Sequence, residues 1–338
     1  MTSERFPAET TKIRRRGSSS RRGRWLILIG AAAVTALVAG CSAGSTPTLP
    51  TVAPPSTSSA PPASTPPARP GCDDKNNTRV ESYDPSTVTT GPALERIKRA
   101  GKLKVGVSAD NLLFGYRNPI KGTLEGFDID MVNEVAKAIF GSAQGRVQYV
   151  VENFAQRIPD LQAGRVDLVA DIMTINCIRW NQIAFSAEYF HAGQQILVRR
   201  NSYNSIKQMN GKKVCTGAGS TGFDNLVKNY KQVQRVVVND ISDCMVLFQQ
   251  GAVEGVISDN TVVQGFAAQD PYAVVLPDLL SPEPYGLGFS KTDVDFVRFV
   301  NALLEQMRAD GDWQRIHNKW VPTDKNAQPQ PVYGRALP

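Results

Sequence analysis

The sequence predicts an α/β protein, and residues 126–139 are the clearest evidence for that class. The glycine at the start of this stretch breaks the chain, and Asp128 or Asp130 is placed to cap the N-terminus of a helix. Apolar side chains then recur at every fourth position, as on one face of a helix, at Met131, Val135 and Ile139. Residues 103–107 alternate like a strand just ahead, so strand and helix form the first half of a βαβ unit.

The same alternation of strand and helix patterns continues along the chain. Strands are predicted at 147–151, 166–170, 195–199, 212–215, 236–238, 252–259 and 274–277. Helices are predicted at 91–101, 157–163, 242–250 and 293–307. The tail beyond Pro322 is polar and proline-rich, and we expect it to be loosely held.

Length and charge set the scale of the fold and exclude one class of partner. The chain has 338 residues, enough for two modest domains with apolar cores. Its formal net charge of +7 is concentrated at the start, where residues 1–40 carry eight Lys and Arg against two Glu. The remainder is close to neutral and lacks the basic surface that nucleic acids require. We therefore expect no nucleic-acid partner.

Residues 1–40 are predicted to be a lipoprotein signal peptide. A basic region precedes a short apolar core, and this core is shorter than the roughly twenty residues of a membrane span. The sequence at 38–41, Val-Ala-Gly-Cys, resembles the lipobox of bacterial lipoproteins, which implies that Cys41 is lipidated and becomes the mature N-terminus. A plain signal peptide with an incidental cysteine is the alternative. Arg21 and Arg22 are a partial match to a twin-arginine signal.

Residues 41–71 are predicted to be a lipid-anchored tether. The segment is almost entirely Pro, Ser, Thr and Ala, a composition that cannot bury enough apolar surface to fold. Its prolines favour an extended chain, which at ~3.1 Å per residue would reach on the order of 90 Å. We expect it to hold a folded body away from a membrane, and the sequence leaves O-glycosylation of it open.

The pattern of glycine, aromatic, acid, aliphatic, acid and apolar residues at 126–131 resembles the signature of bacterial extracellular solute-binding proteins for polar amino acids. Further landmarks of that family follow in the same order along the chain, at 154–164, 171–179, 184–190, 283–291 and 310–320. The resemblance covers about two thirds of the chain.

This resemblance implies a two-lobe periplasmic-binding-protein-like fold of type II. Two hinge strands would join the lobes, and the ligand would lie in the cleft between them. Lobe 1 is expected at 72–198 and 281–325 and lobe 2 at 199–280, with a polar C-terminal tail at 326–338. Closure of the lobes on ligand is a common two-state movement.

The resemblance also assigns the groups that would bind the backbone of an amino acid. Arg179 would clamp the α-carboxylate with help from Thr174, although Asn176 and Cys177 depart from the family's usual Thr-Pro at this loop. Asp259 would receive the α-ammonium from lobe 2. The alternative for Asp259 is a helix N-cap, because helical residues follow it.

Side-chain recognition is assigned to lobe 1. The stretch Arg-Ile-Pro-x-Leu-Gln at 157–162 resembles the glutamate and aspartate branch, in which the matching arginine engages the distal carboxylate of the ligand. Arg157 would take this role next to Phe154, and the alternative is a solvated arginine at a helix start. Asp110 and Phe114 lie in the loop that lines the ligand in this family. Core packing is the alternative for Phe114.

The glycine-rich loop at 216–222 opens a helix in lobe 2. Helix N-termini present unpaired N–H groups that bind anions, and the loop lacks the Gly-Lys-Ser/Thr of a nucleotide-binding P-loop. The resemblance implies ligand contacts from Ser220 and Thr221. A simple N-cap by Ser220 is compatible with that role.

Four cysteines remain if Cys41 is lipidated, and an exported chain favours disulfides among them. Three pairings are possible. Cys215 and Cys244 fall in the same predicted lobe, so we expect them to pair with each other and Cys72 to pair with Cys177. None of the spacings resembles a zinc site, and we expect no metal and no cofactor.

The sequence thus predicts an amino-acid receptor on the outer face of the cytoplasmic membrane, monomeric and without enzymatic activity. Glutamate or aspartate is expected first and glutamine or asparagine second, with delivery to an ABC permease. A sensor that signals through a membrane protein is the alternative. An enzyme is the remaining class, since the fold also hosts a few dehydratases, but only His191 lies near the predicted cleft.

Overall fold

The computed structural model describes residues 81–322, 324 and 326–338. The predicted signal peptide, the lipidation of Cys41, the tether and Cys72 lie outside the described residues and stay predictions. Among the described residues, no helix has both the length and the apolar character needed to cross a bilayer.

Most of the predicted helices and strands are present, and the structure gives their bounds. The α-helices in the described part of the chain are α1 Pro92–Ala100, α2 Phe127–Phe140, α3 Arg157–Gln162, α4 Cys177–Trp180, α5 Thr221–Asn229, α6 Ile241–Gln249, α7 Asn260–Ala267, α8 Val294–Asp310 and α9 Asp312–Trp320. The strands are β1 Leu103–Val107, β2 Asp110–Asn111, β3 Gly115–Arg117, β4 Leu124–Glu125, β5 Val147–Val151, β6 Leu168–Ala170, β7 Ala184–Phe185, β8 Phe190–Arg199, β9 Lys213–Gly217, β10 Gln234–Val238, β11 Gly255–Asp259, β12 Ala273–Val275, β13 Ser281–Tyr285 and β14 Gly288–Phe289.

Two mixed sheets form the two lobes. The sheet of lobe 1 has the order β5-β1-β6-β14-β7, with β1 parallel to both β5 and β6. The sheet of lobe 2 has the order β10-β9-β11-β8-β12, and β13 also pairs with β8. A small antiparallel sheet, β2-β3-β4, extends from lobe 1. The functional loops follow the carboxyl ends of parallel strands, where α/β sheets place their ligands.

The chain passes between the two sheets twice, and this confirms the predicted two-lobe α/β architecture. It leaves lobe 1 after β7 and enters the ten-residue strand β8, whose first half pairs antiparallel with β13 and whose second half pairs with β11 and β12. It returns through β13, which leads directly into β14 of the lobe 1 sheet. Strands β8 and β13 are therefore the paired hinge strands. The exact lobe boundaries given above remain a prediction.

The predicted capping of α2 by Asp128 or Asp130 is wrong. The N-cap is Gly126, and no side chain caps the helix. Asp128 lies in the first turn, fully buried, where its carboxylate accepts from the Tyr189 hydroxyl at 2.6 Å and from the Ile172 N–H at 2.9 Å. Asp128 thus forms two long-range hydrogen bonds instead of the local capping bond. Periodicity along the chain does not reveal such long-range partners.

The C-terminal tail is ordered against lobe 1, contrary to the expectation that it is loosely held. The Ser82 N–H donates to the Val332 carbonyl at 2.9 Å, and the Arg335 N–H donates to the Ser82 carbonyl at 3.1 Å. The Arg335 guanidinium lies 3.7 Å from the centroid of the Trp180 ring. Backbone pairing with residues just after the tether and a cation–π contact hold this polar segment.

The predicted disulfide between Cys215 and Cys244 is confirmed. It joins β9 to α6 within lobe 2, with the two Cα atoms 5.5 Å apart. Cys177 is also disulfide-bonded. The pairing of Cys177 with Cys72 stays a prediction, because Cys72 lies outside the described residues.

Candidate functional site

Arg179 is placed at the mouth of lobe 1 by the short helix α4. The helix is fixed by its N-cap, since the Asn176 side chain accepts from the Arg179 N–H at 2.9 Å. The guanidinium of Arg179 donates to the Thr174 carbonyl at 2.8 Å and, across the cleft, to the Gly219 carbonyl at 3.1 Å. Burial, together with the positive charge of Arg157, lowers the pKa of Arg179 to about 10. Among the described residues, the group is held by carbonyls and not by a carboxylate, which leaves its charge available to an anion.

Arg157 lies beside Arg179 and is buried, so the alternative of a solvated arginine at the helix start is wrong. Its guanidinium donates to the carbonyls of Phe154, Asp171 and Gly219 at 3.1, 2.8 and 3.4 Å. It also stacks on the Phe154 ring at 4.5 Å. The structure therefore brings Arg157, Phe154 and Arg179 together at one point of the cleft.

Two buried acids, Asp171 and Glu152, lie near Arg157. The Asp171 carboxylate is 3.9 Å from the Arg157 Nε, and burial raises the pKa of Asp171 to about 7 although Arg157 lowers it. Burial and the charge of Asp171 raise the pKa of Glu152 to about 9. Sequence reasoning missed both acids, because each occupies a strand end that reads simply as polar. Near neutral pH Glu152 is therefore protonated, and it is Asp171, whose pKa is about 7, that partly offsets the charge of Arg157.

Asp259 ends β11 in lobe 2 and is buried opposite Arg179. It occupies the N-cap position of α7, but its side chain makes no capping hydrogen bond. Its carboxylate accepts instead from the Tyr285 hydroxyl at 2.7 Å. Burial, and then the charge of Glu283, raise the pKa of Asp259 to about 8. The carboxylate is thus directed at the hinge and the cleft rather than at its own helix.

Glu283 is a cleft residue that the sequence analysis did not single out. It lies on the hinge strand β13 and accepts from the hydroxyls of Thr174 in lobe 1 and Thr221 in lobe 2, at 2.7 and 2.8 Å. A cavity of ≈ 120 Å³ borders these three side chains. The motif Glu-Pro-Tyr-Gly at 283–286 marked the second crossover, and its glutamate was the available signal.

The glycine-rich loop brings lobe 2 against lobe 1. Ser220 caps α5, with its hydroxyl accepting from the Phe223 N–H at 3.1 Å and donating to the Gly217 carbonyl at 2.7 Å. Gly219 adopts a positive φ of 72° and lies so close to Ala155 that a Cβ at Gly219 would be 2.8 Å from the Ala155 Cα. The capping interpretation of Ser220 is confirmed, and a ligand contact by Ser220 or Thr221 stays a prediction.

Asp110 and Phe114 occupy different environments. The Asp110 carboxylate accepts from the Ser242 N–H of lobe 2 at 3.2 Å and borders an interlobe cavity of ≈ 310 Å³ with Phe154 and Glu152. Phe114 is fully buried and packs edge-on against neighbouring aromatic rings, the nearest centroid lying 4.9 Å away. Phe114 therefore supports the cleft from behind, whereas Asp110 faces it.

These observations define a two-lobe binding protein with charged side chains of both lobes in its cleft. The family model for bacterial extracellular solute-binding proteins, family 3, matches residues 103–323, and the chain belongs to that family. Membership confirms the predicted family and favours a binding protein over an enzyme. Within the described residues, no group of three or more potential metal ligands is assembled.

Comparison with individual proteins gives the same family. The chain is 36% identical over 233 residues to the glutamine-binding protein of Geobacillus stearothermophilus, covering 68% of this chain and 88% of that one. It is 31% identical to the ABC transporter glutamine-binding protein GlnH of Bacillus subtilis, covering 68% and 85%. An ancestral arginine-binding protein solved with bound glutamine is 33% identical and superimposes with a TM-score of 0.62, covering 65% and 98%.

Proposed function

We propose that this protein binds a polar L-α-amino acid in the interlobe cleft, glutamine first and glutamate second, and delivers it to an ABC permease. The observation that carries the proposal is the opposition of Arg179 and Asp259. Arg179 is a buried cation on lobe 1, and Asp259 is a buried acid on lobe 2. In the described chain, neither residue has an oppositely charged side-chain group within 4.0 Å, and each is held by uncharged hydrogen-bond partners. A zwitterion supplies the complementary charge to each, and each charge-assisted hydrogen bond contributes roughly 1.5–3 kcal/mol.

Closure follows from the same geometry. Arg179 and Thr174 belong to lobe 1, whereas Asp259 and the Gly219 loop belong to lobe 2. A ligand that contacts both sets favours the arrangement in which the lobes meet, because it binds that arrangement better.

Glutamine is placed before glutamate because of the groups around Arg157. Three of its N–H groups donate to backbone carbonyls, and the Asp171 carboxylate lies 3.9 Å from its Nε. An amide carbonyl accepts from the remaining N–H groups without bringing a further negative charge close to Asp171. The two glutamine-binding relatives support this order, which reverses the one expected from the sequence.

The proposed membrane partner and location are supported by the relatives and by the leader. One relative bears the name of an ABC transporter component. With Cys41 lipidated and residues 41–71 extended, the binding lobes would stand off the outer face of the cytoplasmic membrane beside such a permease. Affinity purification of the full chain from cells should recover permease subunits, and recovery of a signalling membrane protein instead would favour a sensor.

Calorimetric titration with glutamine, glutamate, asparagine and aspartate tests the ligand. The protein is first unfolded and refolded to release bound ligand. We expect glutamine to bind at micromolar levels or tighter, corresponding to at least about 8 kcal/mol, and glutamate to bind less tightly. Failure of all four to bind the refolded protein would contradict the proposal.

A charge-balanced variant separates the role of Arg157 from its structural contacts. The double variant Arg157→Met, Asp171→Asn removes a cation and its buried counter-charge together, so no carboxylate is left unpaired. We expect it to weaken glutamate more than glutamine. Arg165→Met is the control, because Arg165 is a half-exposed arginine that pairs with Asp160 just after the same helix.

A further inference from the structure

The carboxylate of Glu283 is held by both lobes at once. Glu283 is 2% exposed, although it lies on a hinge strand. Its Oε2 accepts from the Thr174 hydroxyl of lobe 1 and the Thr221 hydroxyl of lobe 2. Its Oε1 accepts from the Ser281 hydroxyl at 2.6 Å and from the Gln194 amide at 3.2 Å. Four hydrogen-bond donors surround the carboxylate, and among the described residues no ion pair within 4.0 Å involves it.

These hydrogen bonds fix the polarity of the site around Glu283. A threonine hydroxyl has one proton to donate and two lone pairs with which to accept. Thr174 and Thr221 both donate their proton to Glu283, so their oxygens face other partners only as acceptors; in this arrangement Thr174 is not free to donate to an α-carboxylate, the role that the sequence predicts for it. This end of the cleft, whose cavity Asp224 and Lys228 also line, therefore presents hydrogen-bond acceptors from Glu283 and the two threonines, which suits a cationic donor better than a carboxylate.

Glu283 and Asp259 form an acidic pair across the hinge. Side chains two residues apart on a strand project to the same side, and Tyr285, two residues after Glu283, donates to the Asp259 carboxylate at 2.7 Å. After burial, the negative charge of Glu283 contributes to the raised pKa of Asp259. Arg179 and Arg157 oppose this effect, and among the described ion pairs none involves Glu283 or Asp259.

We propose that Glu283 is the second carboxylate of the ammonium site and, with Asp259, receives the α-ammonium of the ligand. This inference rests on the proposed amino-acid binding and extends it to a residue on the hinge. An ammonium group has three N–H donors, enough for both carboxylates and one threonine oxygen. Because Thr174 and Thr221 hold Glu283 from opposite lobes, the complete site forms only when the lobes meet. Recognition of the ammonium is thereby coupled to closure.

The test compares Glu283→Gln with the wild-type protein on two ligands. L-Glutamine carries the α-ammonium, and 4-carbamoylbutanoate is the same molecule without it. By calorimetry we expect the variant to bind glutamine at least 10-fold more weakly and to bind the deaminated ligand with unchanged or higher affinity. Equal weakening of both ligands, or unchanged glutamine affinity, would overturn the inference. Absence of amino-acid binding by the wild-type protein would instead contradict the proposed function.

The number of protons released on binding is a second measurement, and it should not change if Glu283 has a purely structural role. In buffers of different ionisation enthalpy, glutamine binding at pH 7 should release protons from Asp259, whose pKa is raised by burial and by the charge of Glu283, and the Glu283→Gln variant should release fewer. Glu283→Asp keeps the charge and should retain the release, which also covers the case in which the glutamine variant does not fold. If Glu283→Asp releases as few protons as Glu283→Gln, the inference is wrong. Glu254→Gln, the same change at a partly exposed position of lobe 2, is the control.

Discussion

Arg157 and Arg179 donate to the same oxygen, the carbonyl of Gly219 in the opposite lobe. Two like charges converge on one neutral acceptor because each is also held by carbonyls of its own lobe. A carboxylate is a stronger acceptor than a carbonyl for a guanidinium. The N–H groups of Arg157 and Arg179 that donate to the opposite lobe are thus the groups that a ligand carboxylate would use. Ligand binding and this contact between the lobes therefore involve the same hydrogen-bond donors.

Replacement of Arg179 should nearly abolish binding. Arg179→Ala removes the buried cation proposed to bind the α-carboxylate, and two charge-assisted hydrogen bonds at roughly 1.5–3 kcal/mol each correspond to about 100-fold or more in Kd. Arg179→Lys keeps the charge but loses the fork geometry, so it should rescue binding only in part. Titration calorimetry with glutamine measures both. Arg146→Ala, which removes an exposed arginine bonded to the Gly101 carbonyl, should leave Kd unchanged.

A methyl group at Gly219 should keep the lobes apart. A Cβ there would lie 2.8 Å from the Ala155 Cα and 3.0 Å from the Ala155 nitrogen, and both are backbone atoms that cannot turn aside. We expect Gly219→Ala to weaken glutamine binding by about 10-fold or more, because the added methyl group clashes with the Ala155 backbone when the lobes close. Small-angle scattering with saturating ligand should show a less compact protein.

The control for this substitution is Gly211→Ala. Gly211 has nearly the same positive φ, 73°, but no atom within 4 Å of its would-be Cβ. Both variants bear the backbone strain of alanine in a left-handed conformation, and only Gly219→Ala bears the interlobe clash. Equal affinities of the two variants would mean that the contact with Ala155 does not limit closure.

The architecture and the lobe 2 disulfide were predictable from the sequence because they depend on local patterns. Strand and helix periodicity identified most elements, and Cys215 and Cys244 paired as expected from their shared lobe. The acids were not predictable in the same way. The position of Asp128 in the sequence predicts a helix cap, but its carboxylate accepts hydrogen bonds from the Tyr189 hydroxyl and from the N–H of Ile172, whose φ of 40° is left-handed. Glu283 shows its role only when residues 109 positions apart meet.

The affinity for glutamine should rise with pH between about 6 and 8. In the proposed site the α-ammonium binds the ionised form of Asp259, whose pKa is raised to about 8 by burial and by the charge of Glu283. Below pH 8 the Asp259 carboxyl must lose its proton before the ligand binds. Each unit of increase in pH should therefore lower Kd by up to about tenfold. Asp259→Asn should bind weakly and lose this dependence. A pH-independent Kd in the wild-type protein would show that Asp259 does not titrate on binding.

Replacement of Glu152 should stabilise the protein at alkaline pH and not at acidic pH. Burial, then the charge of Asp171, raise the pKa of Glu152 to about 9, although Arg157 lowers it. A carboxyl whose folded-state pKa is raised above its unfolded value near 4.3 stabilises the fold fully below that value. This stability is lost as the pH rises towards 9, because ionisation becomes easier in the unfolded chain. Glu152→Gln does not ionise, so its melting temperature should exceed that of the wild-type protein at pH 8 by about 2–4 °C, on the order of 1 kcal/mol. The difference should shrink or reverse at pH 5, and calorimetric melting across this range measures it.

Glu95→Gln, at an exposed position on α1, should show no such trend, and a pH-independent difference for Glu152→Gln would contradict the buried titration.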